Sequence, residues 1–152
     1  MPPYLRLRLF RQKDSSLTEM RQMNAERIFI DTNIIIYLYS KDEPHKKKKA
    51  ESLFLGSKPL ISIQVLNETA NICLRKFHFD STTVRNILDE LERYCKIAPI
   101  TIFSVRLALQ IREKYRFSYF DSLIAASAYE HGCSVNLEKG YKPIQRYIRR
   151  ER

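Results

Sequence analysis

The sequence predicts an α/β fold built on a parallel sheet. Short apolar runs read as buried strands: RIFI from Arg27, PLISI from Pro59 and CSVNL from Cys133. The segments between them repeat their apolar residues at helical spacing. Strands that alternate with helices form βα units, and such units assemble into a parallel sheet. A chain of 152 residues fits one domain with a single sizeable core.

Taken in order, residues 1–26 mix Pro, Arg, Gln and Ser with little apolar periodicity. They read as a basic, disordered tail, which leaves 27–152 as the folded domain. Met20 and Met23 stand just ahead of the first element, and translation is expected to start at one of them. After RIFI, Thr32 to Tyr39 forms a first helix. A second starts after Glu43, with Pro44 in its first turn, and ends near Gly56. PLISI is followed by a helix from about Gln64 to Phe77. Ser81-Thr82-Thr83 caps the next, whose one face carries Val84, Ile87, Leu88, Leu91 and Cys95. Pro99 to Ile102 reads as a third strand. Phe103, Leu107, Ile111 and Tyr115 recur every four residues and mark another helix, followed by a strong one from Tyr119 to His131. The strand CSVNL and a basic helix from about Pro143 complete the order.

Composition narrows the function classes. With 27 Lys and Arg against 17 Asp and Glu, the formal net charge is +10. Lys46 to Lys49 form an unbroken run, and Lys142, Arg146, Arg149 and Arg150 cluster near the C-terminus. Clustered cations on a basic chain are the electrostatic footprint of a nucleic-acid binder, although a solvated helix face has the same composition. No apolar run approaches the ~20 residues that span a bilayer, and the basic N-terminus lacks the apolar core of a secretory signal. Cys73, Cys95 and Cys133 are odd in number and widely spaced, as expected of reduced thiols in a cytoplasmic protein. His45, His78 and His131 do not join them at zinc-ligand spacing.

Three acids stand out. Asp31 follows a buried strand in IFIDTNIII, where it fits either a helix N-cap or a metal ligand with Thr32 and Asn33 beside it. Glu68 lies in the first turns of the helix ISIQVLNETANICLRK, either exposed or facing the end of the sheet. Asp121 follows Ser118 by three residues, as in a capping box, yet apolar residues surround it in FSYFDSLIAASA. Each acid alone has a structural explanation. Together, three acids near helix starts and strand ends would repel one another, and a hard divalent cation is the simplest compensation. In open α/β sheets, ligands bind beyond the carboxyl ends of the strands.

The segments IFIDTNIIIYLY, ISIQVLNETANICLRK and FSYFDSLIAASAYEHGC, in this order and spacing, resemble PIN domains. Within that group the chain looks like the VapC-like toxins of toxin–antitoxin pairs, and the resemblance runs from Arg27 onward. It implies a three-layer α/β/α sandwich with a short central parallel sheet and Mg²⁺- or Mn²⁺-dependent endoribonuclease activity. The family's first three acids map onto Asp31, Glu68 and Asp121. Such toxins commonly dimerise and are held inactive by a small antitoxin protein. The implied substrate is RNA, with Lys46, Lys47, Lys142 and Arg146 as candidate phosphate contacts.

The chain departs from the family at the fourth acid. Aligned back from KGY, Glu138 takes that position, but GCSVNLEKGYKPI is about two residues short of the family's pattern. This leaves a second reading, a weakened or inactive member acting as an RNA- or antitoxin-binding module. The IDTN start also resembles that of Asp-nucleophile phosphatases, but Asn33 stands where those need a second aspartate.

Overall fold

The computed structural model describes residues 28–54, 58–137 and 140–142. The expected tail at 1–26 and the basic helix from Pro143 lie outside the described residues. Strand β1 (Ile28–Ile30) is followed by α1 (Thr32–Tyr39) and α2 (Pro44–Ser52), then β2 (Leu60–Ser62), α3 (Ile63–Arg75) and α4 (Ser81–Tyr94). Strand β3 (Lys96–Ala98), α5 (Ile102–Tyr115), α6 (Tyr119–Glu130), β4 (Ser134–Leu137) and β5 (Gly140–Lys142) complete it.

The strands form one sheet in the order β3-β2-β1-β4-β5. β1 pairs in parallel with β2 (Phe29 opposite Leu60) and with β4 (Ile30 opposite Asn136), and β3 pairs in parallel with β2. β5 turns back antiparallel along β4, with Val135 opposite Lys142. The central strand β1 is flanked on both sides, and Phe29 and Ile30 are fully buried, as expected for a strand covered on both faces. The α/β/α sandwich around a short parallel sheet is therefore what forms.

α3 is the hub of the helical layers, packing on β2, α1, α4 and α6. α6 buries Ser122 through Ala128 without a break, so it is enclosed on all sides. Its small side chains allow the long contact with α5. Ser104 ties these two helices together: it closes a capping box with Thr101 and donates to Glu130 Oε2 at 2.7 Å. The free thiols Cys73, Cys95 and Cys133 are all buried, and burial pushes the Cys73 thiol up to about 11.

Several elements differ from the sequence expectation, each for a physical reason. β3 occupies Lys96–Ala98 and stops before Pro99, which has no amide proton to give a ladder. α4 is capped by Asp80, not by the Ser81–Thr83 run; the Asp80 carboxylate accepts from the Thr83 amide at 2.7 Å. That bond holds the Asp80 carboxyl below its usual range. α5 buries Ser104, Ala108 and Ile111, so Phe103 falls on its exposed side. Between the strand CSVNL and Pro143 the chain adds a further strand, β5, for which no element was expected.

Tyr39, at the end of α1, donates to Glu90 Oε2 of α4 across 2.9 Å, and both side chains are 5% exposed. A buried carboxylate is costly without such a donor. Burial, and then the adjacent Glu90, hold the Tyr39 phenol well above the ordinary 10.0. The unfolded chain would lose this proton first, so the group's stabilisation is complete below pH 10.0 and falls as pH rises toward the folded value. Tyr39→Phe is expected to lower stability by about 1–3 kcal/mol in urea unfolding at neutral pH, because Glu90 loses a donor. Its deficit against wild type should narrow above about pH 10. An unchanged unfolding midpoint at neutral pH would contradict the pairing.

Candidate active site

Parallel strands and short connections bring the three acids to one edge. Asp31 is the first residue beyond β1, and α3, which carries Glu68, starts directly after β2. α6 leads through only His131–Cys133 into the amino end of β4. It therefore runs antiparallel to that strand, and its first turn, with Asp121, lies toward the strands' carboxyl ends. Sequence pattern alone placed a functional carboxylate at this edge.

Asp31 is both cap and candidate ligand. Its backbone is extended, and Oδ1 accepts from the Ile34 amide at 3.1 Å, which starts α1. The residue is 6% exposed, and Ile30 and Thr32 on either side of it are buried as well. A cap at a helix end needs one oxygen and normally sits in water. Burial of the whole group goes beyond that requirement.

Glu68 is held from two sides. Thr32, buried and adjacent to Asp31, donates its hydroxyl to Oε2 at 2.8 Å. Gln64, one turn earlier on α3, donates its side-chain amide to Oε1 at 2.9 Å. The Thr32 bond links the segments that follow β1 and β2, and it ties Glu68 to the residue next to Asp31. Gln64 is not singled out by the sequence pattern; its signal is the four-residue spacing to Glu68 on one helix face.

Asp121 stands exposed in the first turn of α6, where its amide donates to Ser118 Oγ at 3.2 Å. Ser118 thus caps α6. Asn33 is exposed beside Asp31. Among the described residues no three His, Cys, Asp or Glu side chains gather into a group that could hold a metal ion. The structure therefore brings Asp31, Thr32 and Glu68 together and leaves Asp121 on the same edge, outside such a group. Glu138 and Arg146 lie outside the described residues, and Lys142 closes β5.

The donor set fits a hard divalent cation. Asp31 and Glu68 offer only oxygen, with neither histidine nor cysteine beside them, which suits Mg²⁺ or Mn²⁺ over zinc. Mg²⁺ uses one or two carboxylates and keeps several waters, so a pair suffices.

The lysine run is less uniform than it reads. Lys46 pairs with Glu43 at 2.6 Å and lies 4.9 Å from the centre of the Tyr37 ring. The Glu43 contact raises its pKa further above the usual lysine value. Lys47 is half-buried, and Lys48 and Lys49 are exposed. His131 caps the end of α6, its Nδ1 2.8 Å from the Ser127 carbonyl oxygen.

The acids at the carboxyl edge of this short parallel sheet stand where open α/β folds bind their ligands. The chain belongs to the PIN domain family, whose model matches residues 28–136. Among solved structures it is similar to a chain of a toxin–antitoxin complex from Klebsiella pneumoniae. That match has a TM-score of 0.58 at 20% identity and covers 72% of this chain and 83% of the other. It is also similar to VapC20 of Mycobacterium tuberculosis, a sarcin–ricin loop cleaving toxin, with a TM-score of 0.58 at 21% identity, covering 70% and 84%. A sequence search of curated proteins found no match. No helix among the described residues is long and apolar enough to cross a membrane.

The two roles of Asp31 separate by substitution. Asn caps as well as Asp, so Asp31→Asn should keep stability within about 0.5 kcal/mol or raise it, whereas Asp31→Ala should cost about 0.5–2 kcal/mol. Urea unfolding of both variants checks this, and equal losses would contradict the cap.

Proposed function

We propose that the protein is a Mg²⁺- or Mn²⁺-dependent endoribonuclease and the toxin of a toxin–antitoxin pair, acting in the cytoplasm. The single observation that carries this reading is the hydrogen bond to Glu68 from Thr32, the residue next to Asp31, at the sheet edge of a PIN domain. Similarity to a toxin–antitoxin complex and to an RNA-cleaving toxin supports the same choice.

Asp31, Glu68 and Asp121 would hold the ion, with Glu138 as the fourth candidate acid. Bound there, a divalent ion lowers the pKa of a coordinated water and offsets charge on the phosphate. The chain's own residues do the rest. The Ile34 amide occupies one Asp31 oxygen and so fixes the orientation of the other. Thr32 and Gln64 fix the Glu68 carboxylate plane. Lys47, Lys142 and Arg146 are candidate contacts for flanking phosphates. Lys46 would have to exchange Glu43 for phosphate, which makes it the weaker candidate. Regulation by a bound antitoxin protein and assembly as a homodimer belong to the same reading.

Purified, antitoxin-free protein should cleave RNA with Mg²⁺ or Mn²⁺ and lose this activity in EDTA. Asp31→Asn, Glu68→Gln and Asp121→Asn should each lower the rate on the order of 10²–10³-fold while remaining folded. Thr32→Val should cost roughly 10- to 100-fold, as expected for a group that orients a ligand. Wild type that cleaves no cellular RNA with either metal would instead favour the binding-module reading.

A further inference from the structure

The segment REKYRFSYFD, Arg112 to Asp121, joins α5 to α6 and interleaves cations with aromatic rings. Tyr115 and Phe117 lie 5.9 Å apart between ring centres, and Tyr119 and Phe120 lie 5.4 Å apart. Lys114 Nζ is 5.4 Å from the centre of the Tyr115 ring. Tyr115, Phe117 and Tyr119 are half-buried against the core, and they brace the turn. Phe120 is different: it is 53% exposed, backed by Tyr119 and next in sequence to Asp121.

Arg116 adds an independent observation. It ends α5 in the left-handed conformation (φ 60°, ψ 27°), with its amide bonded to the Arg112 carbonyl at 2.9 Å. Glycine is preferred at such a position because a Cβ crowds the following carbonyl. The chain keeps a long, exposed cation where the turn itself would favour none. Arg112, Lys114 and Arg116 are exposed and outnumber the one acid, Glu113, between 112 and 120.

An exposed ring a few residues from exposed cations has the chemistry that recognises single-stranded nucleic acid: bases stack on aromatic faces, and phosphates meet Lys and Arg. A duplex hides those base faces. An acidic peptide would meet the cations but has no need of the ring. We infer that the α5–α6 turn is a subsite for one unpaired RNA nucleotide beside the scissile phosphate, with Phe120 stacking on its base and Lys114 and Arg116 holding its phosphates. The choice of RNA rests on the ribonuclease reading.

The test is binding of a labelled single-stranded RNA to the full chain in EDTA, read by fluorescence anisotropy, with the same sequence as a duplex for comparison. Phe120→Ala should weaken single-strand binding by about 5- to 100-fold and leave duplex binding unchanged, while Phe120→Trp restores it. Arg116→Gly should weaken binding while raising the thermal midpoint, a combination that a purely structural role would not give. The inference is overturned if wild type does not bind the single strand, if Phe120→Ala binds it as tightly as wild type, or if both RNA forms lose affinity equally. Binding through Phe120 without any metal-dependent cleavage would sink the nuclease reading and keep the subsite. Cleavage by wild type with unaltered Phe120→Ala binding would do the reverse.

Discussion

The hydrogen bond from Thr32 to Glu68 joins the exits of two parallel strands, and the site depends on it. β1 must stop where Asp31 turns out of the sheet, because the Asp31 carboxylate supplies the acceptor that begins α1. Thr32 is then the first helical residue, and its buried hydroxyl has one direction in which to find an acceptor across to α3. Backbone pairing sets the spacing: Phe29 opposite Leu60 fixes how far β2 runs before α3 begins, and hence where Glu68 falls. A shift of one residue in that register would carry Glu68 away from the hydroxyl.

The rest of the fold holds this arrangement still. α1 is secured at its far end by the buried Tyr39–Glu90 bond, so the helix that Asp31 starts cannot swing freely. α3 is packed among α1, α4 and α6. Two polar contacts thus bracket α1, the part-buried Thr32–Glu68 bond at its start and the buried Tyr39–Glu90 bond at its end. The cost of burying carboxylates is met by specific donors, which fixes side-chain directions that apolar packing alone would leave loose.

Much of this was legible in the sequence. The helices Thr32–Tyr39 and Tyr119–Glu130 follow from apolar runs with clear starts, and the residues Asp31 and Glu68 follow from their places after strands. β3 was misplaced because a three-residue strand has no periodicity to read, and Pro99 beside it resembles a boundary on either side. The choice of Asp80 over Ser81 as cap turned on one residue, which composition cannot decide between two good cappers. The four-residue rhythm of Phe103, Leu107, Ile111 and Tyr115 marks α5 as a helix but not its buried face, because Ser104 and Ala108 on that face carry little hydropathic signal. Tyr39 and Glu90 stand 51 positions apart, and nothing local to either announces the other. The same holds for Thr32 and Glu68, separated by 36.

In the proposed function Asp31 and Glu68 form one divalent-cation site, with capping as the lesser part of Asp31's role. Thermal unfolding of wild type, Asp31→Asn and Glu68→Gln, each with and without Mn²⁺, tests it most directly, since a ligand that binds only the folded state raises the midpoint. Mn²⁺ should raise the wild-type midpoint, EDTA should reverse the rise, and both variants should show little or none of it. An equal rise in all three proteins, or no rise in wild type at millimolar Mn²⁺, would contradict the account.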